Sequence, residues 1–144
     1  MSKGAILFAQ NNPAIDYVKI AVFAAKRIEK YLNLPVSLIT NSPEYASTFD
    51  YKFDNIISIY QEDFSIRKLN DGSLSSKNIQ WKNSSRFQCY ELSPYDTTLV
   101  IDSDYILCSD RLKDSLDLDA PFQIYQDSFD LDGDRSTVEF KRLN

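Results

Sequence analysis

The most informative segment of this sequence is Thr97-Thr98-Leu99-Val100-Ile101-Asp102-Ser103-Asp104-Tyr105-Ile106-Leu107. Three consecutive apolar residues lead into two carboxylates one residue apart, which is typical of a buried strand that ends in polar side chains. Because alternate side chains of an extended strand share a face, Asp102 and Asp104 are predicted to point together. Two such carboxylates repel each other unless a cation or a proton lies between them. A hard cation, Mg²⁺ or Mn²⁺, is the predicted occupant. The alternative is a plain turn in which Asp and Ser satisfy local backbone groups.

Before this stretch, short apolar runs alternate with one clear amphipathic segment. Residues 17–32 repeat apolar side chains at three- and four-residue spacing with basic side chains between them, which predicts a helix capped by Asp16. The other predicted elements are a strand at 4–9, a strand at 35–40, a short helical or irregular segment at about 43–49 and a strand at 55–59. This order predicts an α/β fold in which helices cover both faces of an open, mostly parallel sheet.

The remainder of the chain has weaker patterns. Its predicted elements are a long polar loop at 61–78, a helix at 83–92, the strand quoted above, a weak helix at 109–119, a strand at 121–126 and an uncertain tail at 127–144. The helix is predicted to pack Phe87, Tyr90 and Leu92 inward. A chain of 144 residues predicts one domain, residues 1–144, with its own core.

Polar side chains follow two strands that this topology brings together. After its third strand the chain is expected to cross back, so that the fourth strand of the sheet lies beside the first. Ligands bind at the carboxyl ends of the strands that flank such a switch point. Gln10, Asn11, Asp102 and Asp104 are therefore predicted to share one crevice.

Composition excludes several kinds of chemistry. The chain has no histidine, which excludes a Ser-His-Asp triad, a Cys-His pair and any histidine-ligated metal within it. Its three glycines form no phosphate-binding loop. Cys89 and Cys108 are predicted to be reduced thiols. We expect a cytoplasmic protein, since neither a membrane span nor a secretory leader is visible.

The charge is distributed unevenly along the chain. Residues 1–90 carry 11 Lys and Arg against 8 Asp and Glu, whereas residues 91–144 carry 5 against 13. The acidic second half disfavours sequence-independent binding of a polyanion and is compatible with metal ions. A second metal candidate lies there, because residues 128–133 with Glu139 nearly fit a calcium-binding loop. The alternative for that segment is a plain acidic turn.

The segment from Ser85 to Asp104 resembles the signature of nucleotide-sugar glycosyltransferases with the GT-A fold, especially the glycogenin-like retaining group, and is also similar to bacteriophage-encoded glycosyltransferases. The resemblance rests on Arg86 in a helix, the turn at Tyr95 and the Asp-x-Asp strand end at this spacing. It extends over roughly residues 4–107, since Tyr17 opens the first helix as a tyrosine does in that group.

The resemblance implies a role for each candidate site residue. Asp104 would bind the metal directly, and Asp102 would share the metal or hold the donor ribose, with Ser103 among the donor-binding residues. Tyr17, Gln10 and Asn11 would face the nucleotide base. Arg86 would lie near the donor. The alternatives are core packing for Tyr17 and a salt bridge to the acidic half for Arg86.

The chain also departs from that group. In that group a further metal ligand, often histidine, and the acceptor-binding half come from a segment beyond the point that corresponds to Asn144, and neither is present here. The chain therefore looks like a truncated, donor-binding half, whose site a second copy or a partner chain would complete. If the protein is phage-encoded, we expect it in the host cytoplasm.

Three functions remain open at this point. The leading hypothesis is a metal-dependent hexosyl- or pentosyltransferase-type domain that binds a nucleotide-diphospho-sugar donor, with an unknown acceptor. The second is a non-catalytic nucleotide- or protein-binding module with the same fold. The third is a metal-dependent phosphotransfer enzyme that uses the same carboxylates.

Overall fold

A central parallel sheet organises the chain. The computed structural model describes residues 1–60, 65–69, 77–81, 84–118, 121 and 123. Among these residues, four strands form an all-parallel sheet in the order β3-β2-β1-β6. The strands are β1 (Lys3–Ala9), β2 (Val36–Thr40), β3 (Ile56–Ser58) and β6 (Thr97–Asp102), and a separate antiparallel pair is formed by β4 (Ser65–Leu69) and β5 (Lys77–Trp81). The predicted α/β class and the open parallel sheet are confirmed.

The α-helices lie between these strands along the chain, and the described residues also include two 3₁₀ segments, one before the last of these helices and one after β6. The helices are α1 (Tyr17–Leu32), α2 (Pro43–Ala46) and α3 (Cys89–Leu92), while the 3₁₀ segments are Ser84–Gln88 and Arg111–Asp117. The structure therefore confirms the predicted bounds of the first helix. Among residues 1–60 and 84–118, no helix combines the length and hydrophobicity needed to cross a bilayer.

Both faces of β1 are buried, as its continuous apolar sequence predicts for the interior strand of a parallel sheet. Ala5, Leu7 and Ala9 face a first cluster that includes the apolar side of α1. Ile6 and Phe8 face a second cluster on the opposite side of the sheet. The second cluster is covered in part by Cys89 and Leu92 of α3 and by Tyr95, which follows it.

The topology places the predicted switch point at β1. This strand pairs with β2 on one side and with β6 on the other, because the chain crosses back after β3. The expectation that the fourth strand of the sheet lies beside the first is therefore confirmed. The carboxyl ends of β1 and β6 meet at one edge of the sheet, where Phe8 is in register with Asp102.

The predicted loop at 61–78 is wrong for β4 and for the first residues of β5. Each of these two strands has only two apolar residues among five, which is too weak a pattern for a prediction from hydrophobic periodicity. Antiparallel backbone hydrogen bonds need no particular side-chain pattern, so two strands with so weak a pattern can still pair.

The predicted helix at 83–92 is only partly correct. Residues 84–88 form a 3₁₀ segment and residues 89–92 form α3. The inward packing predicted for Phe87 and Tyr90 is wrong, since these side chains are 70% and 92% exposed. A 3₁₀ segment turns every three residues rather than every 3.6, so it changes which residues of the following helix face the sheet.

The last part of the chain is described only in part. The weak helix predicted at 109–119 is a 3₁₀ segment at Arg111–Asp117, whose Leu112 and Leu116 pack against the first cluster. The tail at 127–144 and the candidate calcium loop lie outside the described residues. So does the strand predicted at 121–126, apart from residues 121 and 123, which are not in a strand.

Candidate functional site

The candidate site lies at the edge of the sheet where β1 and β6 end. Residues paired across a parallel ladder share a face, so Asp102 lies on the same face as its partner Phe8. That face is covered in part by α3, and the 3₁₀ segment leads directly into this helix. A side chain from this covering segment can therefore reach the end of β6.

Arg86 makes that contact. Its Nη1 atom forms an ion pair with Oδ1 of Asp102, and the two side chains are 31% and 53% exposed. The salt bridge considered as the alternative role of Arg86 is thus present, and its partner is the first carboxylate of the candidate metal pair. A partly exposed pair of this kind contributes only about 0–1 kcal/mol to stability.

The Nε atom of Arg86 has a different environment. It is buried and has no hydrogen-bond partner among the described residues. A buried donor left in this state costs about 1–3 kcal/mol, so an oxygen atom that reached it would be bound favourably. The guanidinium is therefore only partly satisfied by Asp102.

Gln10 and Ser85 connect the two elements on either side of Arg86. The Nε2 atom of Gln10 donates a hydrogen bond of 2.8 Å to Oγ of Ser85, which is fully buried. This bond ties the residue next to Arg86 to the loop after β1. Ser85 was not among the predicted site residues. Its sequence signal is only a serine beside a basic residue, and its burial is a property of the tertiary structure.

Asn11 has a structural role in the same loop. Its Oδ1 accepts a hydrogen bond of 2.9 Å from the backbone N–H of Val18, and its Nδ2 donates one of 3.2 Å to Asp16. Its backbone N–H and C=O bond to the side chain of Asn41 at 2.9 and 3.0 Å. The Asn11 amide therefore holds the start of α1, and Asn41, which sequence reasoning missed, holds the loop to the end of β2.

The start of α1 holds Tyr17 and its cap. Tyr17 is half-buried and packs against the first cluster, as the core alternative predicted. Asp16 accepts a hydrogen bond of 3.0 Å from the N–H of Lys19 and one of 2.6 Å from the hydroxyl of Tyr45. Burial would raise the pKa of Asp16, but the hydrogen bonds from Tyr45, Lys19 and Asn11 lower it below its usual value.

The carboxylates of Asp102 and Asp104 do not both belong to the strand. The strand β6 ends at Asp102, and Ser103 and Asp104 form a turn in which the N–H of Tyr105 donates to the C=O of Asp102 at 3.0 Å. The extended backbone expected through Asp104 is therefore wrong, because the strand ends at Asp102 and is followed by the turn that was the alternative prediction. Asp104 is exposed, whereas Ser103 is buried.

These carboxylates fit only one kind of metal site. Within the described residues no group of three or more His, Cys, Asp or Glu side chains could hold an ion. Two accessible carboxylates fit Mg²⁺ or Mn²⁺ if the ion takes its other ligands from water and phosphate oxygens, as Mg²⁺ commonly does.

The site combines acidic oxygens with one incompletely satisfied guanidinium at a topological switch point. Such a set can hold a cation and an anion side by side, which is what recognition of a metal-bound diphosphate requires. The predicted donor-site residues are brought together only in part. Gln10 bonds to Ser85, the neighbour of Arg86, and Arg86 pairs with Asp102, whereas the half-buried Tyr17 packs against the first cluster. No protein-family model, curated protein or solved structure matches this chain.

Proposed function

We propose that this chain is the donor-binding domain of a metal-dependent glycosyltransferase of the GT-A type. One observation supports it above the others. The side chains of Arg86 and Asp102 meet where β1 and β6 end, at the switch point of a parallel sheet. The resemblance of residues 85–104 to nucleotide-sugar glycosyltransferases points to the same edge.

In this proposal each residue has a distinct task. Asp102 and Asp104 hold Mg²⁺ or Mn²⁺ through their carboxylate oxygens, and Arg86 binds oxygens of the donor diphosphate. Gln10 keeps the segment of Arg86 in place through Ser85. When bound, the cation offsets the negative charge that develops on the leaving diphosphate as the sugar bond breaks.

The described residues account for only part of a transferase site. The proposal assigns to them neither an acceptor-binding surface nor a further metal ligand. No side chain is assigned as nucleophile or base. The proposal is therefore limited to donor and metal binding by this chain, with transfer as the reaction that the binding serves.

Titration calorimetry with a panel of nucleoside diphosphates and nucleotide sugars, with and without Mn²⁺, tests this proposal. We expect saturable binding of at least one donor that depends on Mn²⁺. Asp104→Asn should weaken that binding by about tenfold or more, because one of two carboxylates for the cation is lost. This variant lies on an exposed turn, so folding should be unaffected.

Asp117→Asn is the matched control. It removes one carboxylate that pairs with Lys3 at the opposite end of the β1 and β6 pair, and it should bind the donor as the unmodified chain does. Donor binding that is equally strong without Mn²⁺, or that survives Asp104→Asn unchanged, would contradict the proposal.

A specific observation also favours a non-catalytic nucleotide-binding module. The carboxylate of Asp102 is already paired with Arg86, and the described residues offer no third acidic or thiol ligand for a metal. A donor-hydrolysis and transfer assay with Mn²⁺ separates the two functions. Metal-dependent donor binding without release of a nucleoside diphosphate would favour the module, whereas release of that product supports the transferase.

A further inference from the structure

We infer that Arg86 and the divalent cation exchange at Asp102. The guanidinium of Arg86 is paired with the carboxylate of Asp102 before the cation arrives. The cation displaces it, and the released guanidinium then binds the diphosphate. This inference rests on the proposed function and adds to it a coupling between the binding of the metal and the binding of the donor.

The first step in the argument is competition for one carboxylate. Nη1 of Arg86 contacts Oδ1 of Asp102, and this side chain is about half exposed, so a cation can approach it from solvent. Two positive groups held against the same carboxylate repel each other at close range. A cation that binds Asp102 through Oδ1 must therefore displace the guanidinium.

The second step is the destination of the displaced group. Arg86 carries a buried Nε that lacks a hydrogen-bond partner among the described residues, and a guanidinium has five N–H donors in a planar fork. Phosphate oxygens match that fork in geometry and charge. The diphosphate therefore offers the guanidinium more hydrogen bonds than the single contact with Asp102.

The third step concerns the movement required. Ser85 is fully buried and bonded to Gln10, so the backbone beside Arg86 is anchored. Only the outer part of the Arg86 side chain has to turn. The anchored backbone keeps the guanidinium next to the carboxylates in both arrangements.

The consequence is a positive coupling between the two ligands. The cation alone binds weakly, because it must break the ion pair and leave the guanidinium without a carboxylate. The diphosphate accepts that guanidinium, so each ligand raises the affinity of the other by the same factor.

Arg86→Gln tests the exchange, because it removes the competing charge and keeps a polar side chain. For Mn²⁺ alone, measured by the electron paramagnetic resonance signal of free Mn²⁺, we expect binding about threefold tighter than in the unmodified chain, since a partly exposed ion pair no longer competes. In the presence of Mn²⁺, the tightest-binding nucleoside diphosphate of the panel should bind about tenfold more weakly. The two effects have opposite signs, which loss of fold alone would not produce.

Lys3→Gln is the matched control. It also removes one positive charge and one ion pair, but at the other end of β1. Both affinities should equal those of the unmodified chain. If the unmodified chain binds Mn²⁺ and the nucleoside diphosphate but Arg86→Gln binds Mn²⁺ no more tightly, the exchange is overturned. The proposed function is not affected by that result. If the unmodified chain binds neither Mn²⁺ nor any nucleoside diphosphate, both are overturned.

If Arg86→Gln does not fold, a measurement on the unmodified chain tests the exchange between Arg86 and the cation. The Nε–Hε resonance of Arg86 in a ¹H–¹⁵N spectrum, assigned with Arg86→Lys, reports the environment of the buried donor. We expect it to shift when Mg²⁺ alone is added and to shift again when the nucleoside diphosphate follows. A resonance that is unmoved by Mg²⁺ overturns the exchange.

Discussion

The ring of Tyr95 lies directly against Gly4 near the start of β1. Its hydroxyl shares a hydrogen bond of 2.7 Å with the buried Oγ of Ser37 and donates one of 3.0 Å to Asp54. These two bonds hold the ring in place over the glycine. Gly4 is required there because a side chain would occupy the space of the ring, and not because of its backbone conformation.

Gly4→Ala should therefore destabilise the fold. The new Cβ would overlap the Tyr95 ring, and overpacking of this kind costs about 1–3 kcal/mol. Urea unfolding followed by circular dichroism measures the loss. In a Tyr95→Leu background the same substitution should cost clearly less, because the ring is absent. Equal costs in the two backgrounds would show that the ring is not the cause.

At the level of elements, the loop between β1 and α1 is held by side chains from both directions. Asp16 caps α1 and also accepts a hydrogen bond from the hydroxyl of Tyr45 in α2. Asn11 forms hydrogen bonds with the first turn of α1 and with Asn41. These bonds place the loop at the same edge of the sheet as Arg86 and Asp102. The loop therefore supports the candidate site from the side of β1.

Asp16→Ala should lower the free energy of unfolding by about 0.5–2 kcal/mol, the usual cost of losing an N-cap. The expected loss lies in the upper part of that range, because the hydrogen bond from Tyr45 is lost with the cap. Asp16→Asn should cost less, since asparagine is also a good cap. Lys26→Ala, on the exposed face of α1, is the surface control. Equal stability of the two Asp16 variants would contradict the capping role.

At the scale of the whole molecule, the two ends of the sheet have different tasks. The amino ends of the strands carry the bonds between Tyr95, Ser37 and Asp54, beside a cleft of about 240 Å³ that Tyr51 helps to line. The carboxyl ends carry Arg86 and Asp102. Substitutions at the amino end should consequently change stability without removing groups from the candidate site.

This arrangement predicts how stability depends on alkaline pH. Burial, with the nearby carboxylate of Glu29, raises the pKa of Tyr51 to about 12, and burial with the hydrogen bond to Asp54 raises that of Tyr95 to about 12. Tyrosine in an unfolded chain has a pKa of about 10. Between about pH 10 and 12 the folded chain therefore binds more protons than the unfolded chain. The stability that depends on the two protonated tyrosines is fully present below about pH 10 and is lost as pH rises across that range.

Urea unfolding midpoints measured from pH 8 to 12 check this prediction. The midpoint should fall above about pH 10 in the unmodified chain, and Tyr51→Phe should reduce the slope of that fall. Tyr60→Phe, which changes a fully exposed tyrosine, should leave the slope unaltered. A Tyr51→Phe variant with the same slope as the unmodified chain would contradict the assignment.

Much of the fold could be predicted because its signals are local. The helix at 17–32 and its cap follow from side chains within one or two turns of each other, and the strands β1, β2, β3 and β6 follow from short apolar runs. The order of these elements then restricted the topology to a parallel sheet with its switch point at the first strand. Gln10 and Asp102 could be predicted to lie at the same edge for that reason.

Local sequence patterns therefore specify the class of fold, the bounds of α1 and the edge at which the candidate residues meet. The pairing of Arg86 with Asp102 and the bond between Ser85 and Gln10 depend instead on how distant elements pack together. Gln10 and Ser85 are 75 positions apart, so no local pattern could indicate their contact. Local periodicity specifies an element, whereas the packing of one element on another specifies which side chains touch.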